Sequence, residues 1–176
     1  AQLQAAKLND DVEVAHYAAT AVAQISKESD LKLQQLERAF KTDPSAQNLN
    51  EYCDFLGEYL GSGLAEGRVA QIQRQQYACL LARRCEREDT LELRIRYATA
   101  LADVGQIDEA QAVTDQLVLD VPDEQEVWML CLRLAVMRRD GDEVHRVIDA
   151  IDKQHVYLSA ANREELAFWR NGEEAR

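Results

Sequence analysis

The sequence has few of the residues that interrupt regular structure, with seven glycines and two prolines among 176 residues. An all-β domain needs a turn about every ten residues, and such turns draw heavily on glycine and proline. Aromatic residues, which favour strands, make up only 6% of the chain. The scarcity of all three residue types argues against an all-β fold and favours helices.

Long hydrophobic runs are also missing. No uninterrupted apolar stretch is longer than residues 77–82, whereas a membrane-spanning helix needs about 20 apolar residues. The chain shows no secretory or transit peptide, and it begins with Ala1 rather than Met, as an excised or processed piece would. We therefore predict a cytoplasmic protein, in which any membrane attachment is made through a segment absent from this chain.

Positive charge is in short supply. The 20 Lys and Arg residues against 32 Asp and Glu residues leave a formal net charge of −12, and the resulting field repels phosphate backbones, so we expect no nucleic-acid partner. The charge is also unevenly distributed, because residues 68–96 are rich in arginine whereas residues 97–126 contain acids and no lysine or arginine. Such runs are mostly solvated helix faces, and a polar partner-binding surface is the alternative.

Motifs for catalysis and for cofactor binding are missing as well. The one glycine cluster, Gly61-Ser62-Gly63, is not followed by the lysine of a phosphate-binding loop. No paired Cys/His spacing surrounds the three histidines, and Glu13 with His16, one helical turn apart, do not complete a zinc site. We expect no cofactor, no metal and no catalytic residues.

The four cysteines are expected to be free and buried. Each lies among apolar residues of a helical pattern, where an unpaired cysteine behaves as a small hydrophobe. They form no CxxC pair and no framework typical of a small disulfide-bonded domain. This usage predicts a reducing compartment. The residues are Cys53, Cys79, Cys85 and Cys131.

A repeat is the strongest positive feature of the sequence. In residues 91–122, apolar residues at three- and four-residue steps predict two helices separated by Gly105-Gln106. Displaced by 34 residues, the pattern recurs over 125–153, where Tyr97 falls on Cys131, and again in a final helix over 159–171. A fixed period of this length is typical of stacked helix pairs.

The first half of the chain is less regular. Residues 10–25 and 31–40 are predicted to form one helix pair, and residues 47–64 and 68–87 a second pair with a longer, glycine-bearing turn. We predict a single domain over residues 1–176 with about four pairs and a C-terminal capping helix. The predicted pairs are 10–44, 47–88, 91–122 and 125–153, and the capping helix is 159–171.

Several segments resemble the tetratricopeptide repeat family. The resemblance rests on residues 39–44 (Ala-Phe-Lys-Thr-Asp-Pro), on residues 97–105 followed by Asp108-Glu109-Ala110, and on Pro122 and Trp128. It implies an all-α fold, a right-handed α-solenoid of antiparallel helix pairs whose first helices line a concave groove. It also implies that the chain binds a protein partner.

By the family's pattern, the first helix of each pair would contribute groove residues. Aromatic and methionine side chains there give adaptable apolar contacts, and the acids favour a basic or amphipathic partner segment. For Tyr17, Phe55 and Tyr59, the alternative is packing between neighbouring helices. The groove residues would be Tyr17, Glu51, Phe55, Tyr59, Glu92, Arg96, Thr99, Met129 and Arg133, with Asp103, Glu126 and Met137 beside them. Only Arg96 agrees with the clamp by which some relatives grip the acidic tails of chaperones, so that ligand is not expected.

Residues 11–19 also look like the opening of the cytoplasmic tetratricopeptide part of PelE-like subunits, which are membrane-anchored components of bacterial Pel exopolysaccharide secretion systems. That resemblance implies preceding transmembrane helices and a scaffold role in the secretion complex.

Our prediction for the function is a non-catalytic protein-interaction scaffold. The alternatives are a self-assembling regulatory or structural module, with Leu166, Phe168 and Trp169 as a cap or a dimer contact, and, least favoured, an enzyme with a site between repeats.

Overall fold

The computed structural model describes the backbone of residues 2–170 and the side chains of residues 20, 21 and 23–170. This part of the chain contains eight helices and no strand, which confirms the predicted all-α fold. The helices are α1 (Gln2–Thr42), α2 (Ala46–Gly61), α3 (Gly67–Cys85), α4 (Leu91–Asp103), α5 (Ile107–Asp120), α6 (Gln125–Arg138), α7 (Gly141–Gln154) and α8 (Ala160–Arg170). The chain divides into two compact units, residues 1–70 and 71–176, and the single domain over 1–176 stays a prediction.

The first unit contains an antiparallel hairpin of α1 and α2. The direction follows from the contacts, because Asp30 of α1 meets Tyr59 of α2 whereas the later Phe40 meets the earlier Tyr52. Between the helices, Pro44 cannot continue α1, and the Ser45 hydroxyl accepts a hydrogen bond at the start of α2. Among the described side chains of this unit, the buried apolar residues are Leu33, Leu49, Tyr52, Cys53, Leu56, Tyr59 and Ala70.

The helix pair predicted within residues 10–44 is wrong, because α1 is one continuous helix of 41 residues. The predicted break lay at residues 26–30, Ser-Lys-Glu-Ser-Asp, which include neither glycine nor proline. Serine and aspartate lower helix propensity by less than about 1 kcal/mol each, too little to stop a helix alone. The described contacts of α1 are therefore made with α2 rather than within the predicted pair.

The second unit stacks its helices in antiparallel pairs. α4 packs against α5, α5 against α6, α6 against α7, and α7 against α8. Ion pairs between neighbouring helices show that the helices run in opposite directions. Arg94 near the start of α4 donates to Asp120 at the end of α5 (2.6 Å), and Arg138 at the end of α6 donates to Asp108 at the start of α5 (2.9 Å). Helices α4 to α8 lie where the 34-residue period predicts them.

Small and large apolar residues alternate at matched positions of this stack. Ala98 of α4 is fully buried beside Ala102 and Ala110, which lets α4 and α5 approach closely. One period later, Leu132 of α6 is also buried, in a larger cluster that includes Trp128. Burial of apolar surface contributes about 25 cal/mol per Å², so both clusters stabilise the stack.

The sequence also specifies where these helices begin and end. The Thr90 hydroxyl accepts a hydrogen bond from the Leu93 N–H at the start of α4 (3.3 Å), and the Asp140 carboxylate accepts one from the Glu143 N–H at the start of α7 (3.0 Å). After α4, Gly105 adopts a φ of 80°, a conformation that favours glycine. Side-chain caps therefore start α4 and α7, and a glycine follows the end of α4.

Candidate functional site

A band of polar and apolar side chains runs along one side of α4 and α6, and we call it the α4–α6 face. Within each helix its members are three or four residues apart, which places them on one side. The two helices pack against each other, so the two sets are neighbours. The face consists of Glu92, Arg96, Thr99, Asp103, Glu126, Met129, Arg133 and Met137.

An ion pair joins the two halves of the face. Arg133 of α6 donates a hydrogen bond to the carboxylate of Asp103 of α4. The side chains are 47% and 38% exposed, and a pair this exposed contributes under about 1 kcal/mol to stability. Its main consequence is geometric, because it holds the two helices' polar side chains in register.

Arg96 is positioned from α3. Its Nη2 and Nε both donate to the hydroxyl oxygen of Tyr77, at 2.8 and 3.2 Å. Its Nη1 lies 4.0 Å from a carboxylate oxygen of Glu92. A guanidinium held in this way loses less conformational entropy when it forms a further contact. The motif pattern missed Tyr77, because it assigns groove residues only to the first helix of each pair and Tyr77 lies on α3.

The apolar part of the face comes mostly from the methionines. Met129 is half-buried and packs against the cluster around Trp128, whereas Met137 is 43% exposed. Thr99 is half-buried, and its hydroxyl donates to the Ile95 carbonyl at 2.9 Å. Met137 is therefore the apolar side chain of the face that is most available to a partner.

Tyr59, predicted as a groove residue, packs inside the first unit. Its side chain is only 6% exposed, and its hydroxyl donates to the Asp30 carboxylate at 2.6 Å. A buried tyrosine with a satisfied hydroxyl is a core contact. The packing alternative therefore describes Tyr59, and its assignment to a groove is wrong.

The other predicted residues of the first half have varied surroundings. Phe55 is half-buried beneath Lys32, whose Nζ lies 4.3 Å from the ring centroid, a cation–π contact between α1 and α2. Glu51 is exposed and accepts a hydrogen bond from Gln47 at 2.9 Å. The prediction for Tyr17 lies outside the residues whose side chains the structure describes. Partner binding by Glu51 and Phe55 stays a prediction.

The cysteines differ in accessibility. Cys53 and Cys131 are buried, as predicted, but the prediction is wrong for Cys79, which is exposed, and Cys85 is only half-buried. Burial raises the pKa of the Cys131 thiol to about 12 and also raises the pKa of Cys85. Both thiols therefore stay protonated at neutral pH and are poor nucleophiles.

Within residues 2–170 we find no helix long and apolar enough to cross a membrane. Among the side chains that the structure describes, residues 20, 21 and 23–170, no three His, Cys, Asp or Glu residues are grouped in a way that could hold a metal ion.

A comparison with protein families bears directly on the α4–α6 face. Residues 80–134 match the family model of the tetratricopeptide repeat. The match covers the site itself. It runs from the end of α3 through α4 and α5 into α6 and includes every residue of the face except Met137. Tetratricopeptide repeats generally mediate protein–protein interaction and are typically non-catalytic. No curated protein and no solved structure matches the chain.

Proposed function

We propose that this chain is a non-catalytic protein-interaction scaffold whose α4–α6 face contacts a partner protein. The observation that carries the proposal is the position of that face on packed helices inside the tetratricopeptide repeat match. The face combines charged side chains with an exposed methionine, Met137. Met129 of the face packs against the buried apolar cluster around Trp128.

The charges of the face favour a basic or amphipathic partner segment. Arg133 is paired with Asp103, and Arg96 lies beside Glu92. Glu126 makes no ion pair with any other described residue, so an acid is the uncompensated charge of the face. A partner that carries Lys or Arg for Glu126 and an apolar side chain for Met137 would complement both groups.

A charge-reversal experiment tests this proposal. The double variant Glu92→Lys with Glu126→Lys places two cations on the face, and we expect it to lose most of the partner protein that the wild type recovers in affinity purification from the native host. The matched control is Glu109→Lys with Asp115→Lys, which makes the same charge change at exposed positions of α5. Equal losses from both variants, or no protein recovered by the wild type, would overturn the proposal.

A finer proposal places the scaffold on the cytosolic side of a bacterial inner membrane, in a Pel exopolysaccharide secretion complex. Its support is the resemblance of residues 11–19 to PelE-like subunits. Co-purification from a host that encodes such a system tests it, since recovery of other inner-membrane secretion subunits is the expected result. Recovery of only unrelated cytosolic proteins would contradict it.

Self-assembly is the second candidate, and one exposed aromatic residue favours it. In α8, Leu166 is buried and Trp169 packs against the same core cluster, as a capping helix requires. Phe168 is 38% exposed and makes an edge-to-face contact with Trp169, at 5.2 Å between ring centroids. Sedimentation at two concentrations tests a dimer contact there, and a strictly monomeric species at both would contradict it.

A further inference from the structure

A cavity of about 570 Å³ lies between the end of α7 and α8. Its volume falls within the range of roughly 300–1,000 Å³ found for ligand pockets. Ile151, Leu158 and Leu166 form its apolar floor, and all three are buried. No residue of the α4–α6 face lines the cavity.

The segments around the cavity are fixed at both ends. α7 stops at His155, which has a φ of 53°, and the next residue, Val156, donates its N–H to the Ile151 carbonyl at 3.3 Å. The start of α8 is tied to α6, because the Gln125 side-chain oxygen accepts from the Ser159 N–H (2.9 Å) and from Asn162 (3.2 Å). The cavity is thus formed before anything binds, which lowers the entropic cost of binding.

The rim of the cavity carries an arginine that has no acidic partner among the residues that the structure describes. At one end, Arg170 donates to both carboxylate oxygens of Asp152, at 3.0 and 2.7 Å, so these two charges compensate each other. Arg163 also lines the cavity, and its guanidinium makes no ion pair with any described residue. In a chain of net charge −12, this rim has an excess of positive charge.

An exposed aromatic side chain lines the same cavity as this arginine. Tyr157 lines the same cavity and is 83% exposed. Tyrosine is enriched among the residues that carry binding energy at protein interfaces, because its ring offers large contact area at low entropic cost. Tyr157 and the apolar floor together provide contacts for a hydrophobic side chain.

We propose that this cavity binds a segment of a partner protein in which an aromatic or long aliphatic side chain is flanked by carboxylates. The apolar side chain enters the cavity against Leu158 and Leu166 and under Tyr157. A flanking carboxylate binds the planar guanidinium of Arg163, whose paired donors match a carboxylate. The inference rests on the proposed function of a protein scaffold, but it concerns a second surface with the opposite charge preference.

Fluorescence anisotropy with a defined probe tests the inference. The probe is a labelled, N-acetylated peptide, Gly-Ser-Asp-Phe-Asp-Ser-Gly-Ser, titrated with the whole chain. We expect saturable binding that weakens about tenfold when the two aspartates of the probe become asparagine, as loss of a charge-assisted hydrogen bond requires. Replacing the probe's phenylalanine by alanine should weaken binding by a similar factor.

Variants of the chain locate the binding. Arg163→Gln should weaken binding of the acidic probe about tenfold and leave binding of the asparagine probe unchanged, and Tyr157→Ala should weaken both. The matched control is Arg146→Gln, an exposed arginine of α7 that pairs with Glu143 and does not line the cavity. We expect it to bind like the wild type. Unchanged circular dichroism melting would show that each variant is folded.

Three results would overturn the inference. The first is no saturable binding of the acidic probe, and the second is an equal loss for Arg163→Gln and Arg146→Gln. The third is about tenfold tighter probe binding after Glu173→Gln with Glu174→Gln, since the occupant would then be the chain's own C-terminal segment. If probe binding fails while the charge reversals at Glu92 and Glu126 still abolish partner recovery, this inference fails and the proposed function stands.

Discussion

The two units differ in the length and regularity of their helices. In residues 71–176, α4 to α8 are 11–14 residues long and pack through buried apolar side chains, with Ala98 and Leu132 at matched positions of the period. In residues 1–70, a single helix of 41 residues, α1, pairs with α2 through an apolar core and through contacts from Asp30 to Tyr59 and from Lys32 to Phe55. A repeat pattern therefore describes the unit built from short helices at a fixed period, and it misdescribes the unit that contains the one long helix.

Truncation of a buried core side chain should have the largest effect on stability, and the effect should be confined to the unit that contains that side chain. Leu134→Ala removes a fully buried side chain of the second unit, and we expect it to lower the free energy of unfolding by about 3 kcal/mol. Urea unfolding followed by tryptophan fluorescence measures this, because Trp128 and Trp169 both lie in the second unit. The matched control is Leu56→Ala, which is fully buried in the first unit. An equal shift of the tryptophan transition by Leu56→Ala would mean that the units unfold together.

Removal of one hydroxyl should have a smaller effect, confined to the first unit. Tyr59→Phe deletes the hydrogen bond to Asp30 and leaves a carboxylate oxygen without that donor, so we expect a loss of about 1–2 kcal/mol. Thermal unfolding followed by circular dichroism measures it. Tyr157→Phe, at an 83% exposed position, is the control. A Tyr59→Phe melting curve that overlays the wild type would show that this contact does not stabilise the hairpin.

Loss of a helix cap should lower the free energy of unfolding by a slightly smaller amount. Asp140→Ala removes the acceptor for the Glu143 N–H at the start of α7, and we expect a loss of about 1 kcal/mol in the urea transition of the second unit. Asp149→Ala removes the same charge from an exposed position within α7. If both variants lose the same stability, the effect comes from charge and the capping interpretation is wrong.

The ion pair between Arg133 and Asp103 on the α4–α6 face should make the smallest contribution to the free energy of unfolding. A double-mutant cycle with Arg133→Gln and Asp103→Asn should give a coupling energy below about 1 kcal/mol, because both side chains are partly exposed. Urea unfolding of the four proteins measures it. A much larger coupling would assign the pair to the stability of the stack rather than to the presentation of the face.

The sequence could predict the fold where local signals and the repeat agree. Gly105 separates α4 from α5, and the Asp140 cap starts α7, so these boundaries follow from residue chemistry. The unbroken α1 could not be predicted in this way. Residues 26–30 have intermediate helix propensity, so local signals do not decide their conformation, and the contact of Asp30 with Tyr59 joins them to α2, which is distant in sequence.

The candidate site was only partly predictable for a related reason. Helical spacing alone places Thr99 and Arg133 on the faces of α4 and α6. It does not reveal that Arg96 is held by Tyr77, or that Tyr59 is buried against α1, because both contacts join different helices. Periodicity reports which side of a helix a residue occupies, whereas a residue's partner depends on how the helices pack.

Site-specific photo-crosslinking tests most directly whether the α4–α6 face contacts a partner. A photoreactive amino acid would replace Met137, which is 43% exposed on α6, and in a matched protein Leu119, which is 76% exposed on α5. We predict that irradiation in the native host yields a discrete protein adduct from position 137 and little or none from position 119. No adduct from position 137, or adducts of equal yield from both positions, would contradict the proposed role of this face.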